Sequence, residues 1–346
     1  MGIEQYAIEY LKSGLSVNTH IGCGLGCKYC VLSTGIYGFP NNALQVNSPR
    51  NIVNWLNNPL TMFANGLTPI YINNRTDPFL PDVIESTYEL LDLMVHYNIV
   101  SPIILISKLA PDKRFNCYTS KLNILYFYTY SGLTGIDYNS DDQINQATLK
   151  EIIENVSYNN RFHYFRPVIP GFNDSVDTVH AILKKVKGIF RLTVSGGIRL
   201  NIENSKLFNV SKFDKNHKLF SDNVWSIIIQ QAKEMDHPVV RHTSCAIAIF
   251  MNNHNNLRYY CKQGHCVGSL CVCYEHCKNG NIVDFASIEA FLAQHPMIKY
   301  NWDNDSNLLI ESPISQELLA FIRSTYGARC IASEILLSPS ERQITK

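Results

Sequence analysis

Short apolar runs alternate with amphipathic stretches along most of this chain. Residues 15–21, 67–72, 102–107, 124–129, 162–168 and 190–195 read as strands. The run at 102–107, Pro-Ile-Ile-Leu-Ile-Ser, is apolar without alternation, which marks a strand covered on both faces of a parallel sheet. Between the strands, residues 81–97 place Val83, Tyr88, Leu91 and Met94 on one helical face. Residues 141–155 predict a helix with an acidic first turn. Residues 174–186 predict another, capped by Asn173 or Asp174 and ended by Gly188. Strand and helix in alternation predict right-handed parallel crossovers, and so an α/β fold. A helix at 222–235 follows, then a cysteine-dense segment, then short helices at 287–294 and 315–325. The tail after Leu337 is polar with a proline, and is expected to fray.

Composition narrows the picture. With 346 residues, 46% of them hydrophobic and 17% charged, the chain can bury one large domain and a smaller appendage. The expected division is 1–240 and 241–346. A formal net charge of +1 sets up no global field for nucleic acid. Lys184, Lys185 and Lys187, like Lys212, Lys215 and Lys218, read as solvated faces. No apolar run is long enough to predict a membrane span, and the first residues lack the regions of a signal peptide. Eleven cysteines in such a chain predict metal ligands in a reducing compartment, hence an oxygen-sensitive cytoplasmic protein.

Cys23-Gly-Leu-Gly-Cys27-Lys-Tyr-Cys30 sets three thiols in one glycine-rich loop at C-x3-C-x2-C spacing. Three thiolates can hold three irons of a [4Fe–4S] cube and leave the fourth open to a small molecule. A zinc knuckle would need a fourth Cys or His at finger spacing, and His20 lies on the wrong side, in the strand. A second group comprises Cys245, Cys261, Cys266, Cys271, Cys273 and Cys277, with His265 and His276 interleaved. It matches no standard finger. An auxiliary Fe–S cluster, a structural zinc site and burial as small hydrophobes all remain open. The favoured ligands are Cys245, Cys266, Cys271 and Cys277, with Cys261 and Cys273 as alternates. Cys117 and Cys330 are isolated and read as structural.

The first cysteine loop, with Tyr29 before its third thiol, resembles that of the radical S-adenosylmethionine (SAM) enzymes. Thr76-Asp77-Pro78, Ser107-Lys108 and the string Arg166-Pro-Val-Ile-Pro-Gly-Phe-Asn173 are similar to the spore photoproduct lyase-like subgroup. The resemblance implies a partial (β/α)6 barrel with a small C-terminal cysteine-rich extension. It implies a [4Fe–4S] cluster on Cys23, Cys27 and Cys30, with SAM on the open iron. Tyr29, Thr76, Asp77, Lys108, Ser131, Arg166 and Asn173 are then expected at the SAM site. Thr76 and Asp77 would face the SAM ammonium, Arg166 its carboxylate, and Asn173 its ribose. The residues alone also allow plainer roles: an Asp77-Pro78 turn, a solvated Lys108, a buried ion pair at Arg166. The implied reaction is reductive cleavage of SAM to a 5′-deoxyadenosyl radical, which abstracts hydrogen from a peptide or small metabolite. A reductant such as flavodoxin or ferredoxin would be the partner. A DNA-repair lyase, which would need a cationic face, and an Fe–S electron carrier or scaffold, which would need no SAM pocket, are the alternatives.

Overall fold

The protein is described from a computed structural model, over residues 7–11, 14–30, 32, 39–57, 66, 68–199, 206–208, 218–219, 222–252, 285–304, 307–326, 328 and 330–336. The chain begins with β1 (Ile8–Leu11), β2 (Gly14–Val17), β3 (His20–Ile21), β4 (Leu44–Gln45) and α1 (Pro49–Leu56). Then come β5 (Ile70–Ile72), α2 (Ile84–His96), β6 (Ile103–Ser107), α3 (Asn116–Thr119), β7 (Ile124–Thr129) and α4 (Asp142–Asn155). β8 (Arg161–Val168), α5 (Val176–Val186), β9 (Thr193–Arg199), β10 (Lys218–Leu219), α6 (Asp222–Glu234), β11 (Val239–Val240) and α7 (Thr243–Met251) follow. The C-terminal part holds α8 (Phe285–Ala293), β12 (Tyr300–Trp302), β13 (Leu308–Ile310), β14 (Ile314–Ser315), α9 (Gln316–Tyr326), β15 (Cys330–Ala332) and β16 (Ile335–Leu336).

Strand pairing gives a mixed α/β fold around one large, mainly parallel sheet. Its order is β1-β2-β5-β6-β7-β8-β9, with β10 and β11 both on β9. All these pairings are parallel except those of β1 and β10. The sheet is open: among the described residues no pairing joins β1 to the β9 end. The six expected parallel strands are present. β11 adds a seventh, too short to carry a hydrophobic pattern. α5 starts later than expected, at Val176, and its cap is Ser175, whose Oγ accepts from Thr178 N at 3.2 Å. Neither Asn173 nor Asp174 caps it, because both side chains bond backbone of the preceding loop.

Side-chain alternation divides the sheet into two faces. Tyr126, Tyr128, His163, Phe165 and Thr193 point outward, toward the crossover helices. Tyr126 packs on Phe115 at 5.9 Å, and Tyr128 stacks on Phe190 at 5.9 Å. Phe127, Thr129, Phe162, Tyr164, Arg166 and Gly196 share the inner face, where Phe127 meets Phe162 at 5.1 Å. Phe250 of α7 lies 6.1 Å from Phe162, so α7 covers part of that face. This explains why α7 is apolar nearly all round, with Ala246, Ile247 and Ala248 buried. The C-terminal elements join the same hydrophobic cluster, through Ile314, Leu319 and Ile322 among others. Residues 261–277 and the tail after Leu336 lie outside the described residues.

A buried polar chain closes the outer seam between β8, β9 and the residue before β11's proline. His163 Nε2 lies 3.0 Å from Tyr130 O, and a carbonyl can only accept, so Nε2 carries the proton. His163 Nδ1 then accepts from Thr193 Oγ1 at 3.0 Å. The threonine oxygen in turn accepts from His237 Nε2 at 2.8 Å. Burial holds both rings neutral, lowering His163 to about 3 and His237 to about 4. Folded values below the unfolded 6.5 mean that this contribution is complete above pH 6.5 and drains away as the pH falls toward 4 and then 3. We expect the urea midpoint to fall across that window. His237→Gln, which keeps an N–H donor, should flatten the slope; an identical slope in the variant would remove His237 from the chain.

Candidate functional site

The cysteine loop grows from the short β3–β4 pair, and its first residue has to be glycine. Gly22 has φ +86°, and a β-carbon there would lie 2.4 Å from Pro40 O. Its N–H donates to Arg75 O at 2.9 Å, tying the loop to the end of β5. Within the loop Cys30 N donates to Cys27 O at 3.0 Å, while Lys28 N reaches Ile136 O at 3.0 Å. Cys27 is buried; Cys23 and Cys30 are partly exposed. All three thiols line a cleft of about 580 Å³, its open mouth included, together with Tyr29, Thr76, Asp77, Ser107, Lys108 and Thr129. Tyr29 belongs to the cysteine loop itself; the others come from the C-terminal ends of β5, β6 and β7 or just after them, where parallel sheets place their ligands.

Asp137 holds this site together, and no sequence motif pointed to it. Its side chain is 1% exposed and pairs with Lys108 Nζ at 2.6 Å. Ser131 Oγ donates to it at 2.6 Å and Tyr138 N at 2.8 Å. Tyr29 OH lies 3.3 Å from both of its oxygens, and Cys27 Sγ is 3.5 Å from Oδ1. Lys108 also sits over the Tyr29 ring, 5.4 Å from its centroid. Lys108 is therefore a buried, paired lysine, not a solvated strand end.

The remaining expected residues divide by how their polar atoms are engaged. Asp77 fastens the turn after β5 to the end of β6: it accepts from Phe79 N at 3.0 Å, Ser107 Oγ at 2.7 Å and Lys108 N at 2.8 Å. Burial raises its pKa against those bonds. Thr76 is 8% exposed, lines the cleft, and its Oγ1 has no hydrogen-bond partner. The Asn173 amide is engaged in shaping its own loop. It accepts from Ile169 N at 2.7 Å and donates to Ser131 O at 2.7 Å and Pro167 O at 2.9 Å. Arg166 is half-buried on the inner face and donates Nη1 to Tyr164 OH at 2.7 Å. Among the described residues it has no carboxylate partner. Cys245 is fully buried within the main hydrophobic cluster. Cys261, Cys266, Cys271, Cys273 and Cys277 lie outside the described residues. Cys330 is buried, and Cys117 is exposed.

The electrostatics say what the thiols can do. Burial pushes Cys23 up to about 11, with Asp77 and Cys30 adding to the shift. It pushes Cys27 up to about 12; Lys108 opposes the shift and Asp137 adds to it. Neither thiol is a ready nucleophile at neutral pH, whereas a coordinating metal ionises a thiol outright. Among the described residues no three His, Cys, Asp or Glu side chains converge on one ion. Thiolates of an Fe–S cube bind separate irons and stand further apart than ligands of one ion. An all-thiol set with an open side suits such a cluster.

No family profile matches the sequence, and no curated protein matches it. Among solved structures the chain is similar to a spore photoproduct lyase point mutant, at 8% identity and TM-score 0.49, over 66% of this chain and 76% of that one. A double mutant of spore photoproduct lyase with bound AdoMet and dinucleoside spore photoproduct gives 10% identity and TM-score 0.49 over the same shares. The lyase complexed with dinucleoside spore photoproduct gives 9% and 0.46, again over 66% and 76%. Identity this low leaves function to be read from the chain's own residues.

The Lys108–Asp137 pair generates a direct test. Removing one partner of a buried pair typically costs about 3–5 kcal/mol, because the other charge stays buried. Lys108→Met should therefore lower the unfolding free energy of the metal-free protein by about 3 kcal/mol in urea titration. Adding Asp137→Asn should recover a good part of that loss. A Lys108→Met protein as stable as wild type would show that the pair contributes nothing.

Proposed function

We propose that this chain is a radical SAM enzyme, with a [4Fe–4S] cluster on Cys23, Cys27 and Cys30 and SAM in the adjoining cleft. The observation that carries this reading is the three-thiol loop opening into a cleft walled by polar strand ends, one of which bears the unpartnered hydroxyl of Thr76. Such a cluster with SAM bound supplies one-electron cleavage of the sulfonium and, through it, hydrogen-atom abstraction from a substrate. The chain's own residues bind, brace and exclude water. Thr76 Oγ1 offers an acceptor to the SAM ammonium, and Asp77 adds negative charge beside it while holding the turn. Arg166 has a guanidinium fork for the carboxylate. Asp137, Lys108, Tyr29 and Ser131 keep the cysteine loop against the strand ends. Asn173 shapes the loop after β8 from behind.

On this reading residues 1–240 form the partial barrel and 241–346 the cysteine-rich extension. The near-zero net charge favours a peptide or small metabolite over duplex DNA. A flavodoxin- or ferredoxin-type reductant in the cytoplasm completes the proposal. A second metal site on Cys245, Cys266, Cys271 and Cys277, Fe–S or zinc, rests on cysteine density alone. Elemental analysis of a protein lacking the first three cysteines tests it: neither metal at stoichiometric level would end that idea.

Two experiments test the main reading. Changing Cys23, Cys27 and Cys30 to Ala should remove about four irons per chain and abolish 5′-deoxyadenosine formation with dithionite. Persistent product from the triple variant would overturn the assignment. SAM binding by the reconstituted wild type separates an enzyme from an electron carrier. Arg166→Lys keeps the charge and loses the fork, so SAM affinity should fall at least about tenfold, or roughly 1.4 kcal/mol. A lowered unfolding midpoint with unchanged affinity would instead make Arg166 structural.

A further inference from the structure

Among the described residues lining the cysteine cleft, Lys108 is the one cation. Around it the lining is three thiols, the Asp77 carboxyl, hydroxyls, one amide and alkyl groups. Its side chain is 10% exposed, so water and salt screen its charge poorly. Nζ lies 2.6 Å from Asp137 Oδ1, and Cys27 Sγ lies 3.5 Å from the same oxygen. Ammonium and sulfur are therefore no more than about 6 Å apart. The ammonium also lies 5.4 Å from the centroid of Tyr29, the residue before Cys30. A carboxylate and a ring of the cysteine loop thus fix the cation beside the thiols.

The hydrogen bond at Cys27 depends on its being a thiol. Sγ donates to Asp137. Bound to a metal as a thiolate, Cys27 has no proton to donate, and it becomes a second anion facing that carboxylate. Like charges this close, in a buried site, repel unless a cation answers both. An ammonium has three N–H donors. Beyond its ion pair with Asp137, Lys108 Nζ has no hydrogen-bond partner. It therefore keeps donors for a second anion, and it stands where that anion forms.

We propose that Lys108, held in place by Asp137, is the counter-ion of the cluster on Cys23, Cys27 and Cys30, and that its charge makes the cluster easier to reduce. This role presupposes the cluster reading and adds to it a control on electron entry. Reduction adds one negative charge to a cluster already held by thiolates. A fixed cation nearby favours the reduced form, and a fixed anion opposes it. The electron comes from the external reductant, and no bond forms or breaks at Lys108. Asp137 is the positioning residue: its own charge opposes reduction, while its grip on the lysine supports it. Those opposite signs separate this role from plain bracing. A cysteine loop that has merely lost a brace changes its exposure to water in the same sense whichever partner is removed.

The test is a potentiometric titration of the anaerobically reconstituted full chain, without SAM, read by the electron paramagnetic resonance signal of the reduced cluster. Lys108→Met should disfavour reduction by at least about tenfold, a downward shift of about 59 mV for one electron. Asp137→Asn, which leaves the lysine charge unopposed, should shift the midpoint upward. Lys108→Arg should stay near wild type. Iron content and circular dichroism establish first that each variant is loaded and folded. If Lys108→Met does not fold, the sign of the Asp137→Asn shift decides: upward supports the role, and unchanged or downward overturns it. Unmoved midpoints in both variants, or shifts of the same sign in both, overturn the counter-ion while the cluster stands. A wild-type chain that takes up no cluster overturns the cluster reading and the counter-ion together.

Discussion

A single carboxylate governs the geometry of the site. Asp137 lies almost wholly out of water, where an ionised group is tolerated only if its lone pairs are matched. It is matched by an ammonium, a hydroxyl, a phenol and an amide, drawn from β6, the loop after β7 and the cysteine loop. Shifting any one of these elements leaves a charge partly unanswered. The position of Cys27 relative to the strand ends is thus set by electrostatics as much as by packing.

The parallel sheet makes that arrangement possible. Its outer face is closed by aromatic rings against the crossover helices, and its inner face is left to chemistry and to α7. One helix, α7, covers part of the inner wall with apolar side chains, Phe250 among them, and carries its polar residues only at its start. A strand pair too short to stabilise itself, β3 with β4, can carry the cysteine loop because Gly22 lets the backbone pass within contact of Pro40 and bond the Arg75 carbonyl.

Local features were the legible ones. The cysteine spacing, the parallel strands and the helices α2, α4, α5 and α6 all stand in contiguous pattern, and each appears within a few residues of expectation. Asp137 was not legible. It is 110 residues from Cys27, in a turn-rich loop with no motif, and only folding joins the two. The start of α5 shifted because Asn173, a good cap by type, has its amide engaged by three other backbone groups, two at the end of β8 and just after it and one at Ser131 after β7. α1 was missed despite a clear signal in Ser48-Pro49, whose hydroxyl accepts from Asn51 N. α7 was missed because a helix apolar on every side shows no periodicity. β11 and β12 to β16, of two or three residues each, are below the length at which alternation can be read.

The histidine chain on the outer face has a further meaning. Its two rings never touch; each is read by the other only through the hydroxyl of Thr193. A valine there would fill the same space and leave every apolar contact in place. It would nonetheless strand a proton on one ring and a lone pair on the other at a single stroke. The seam between β8 and β9 is therefore keyed by polarity and not by shape. It admits one pair of tautomers and one direction of donation, a form of specificity that volume alone cannot encode.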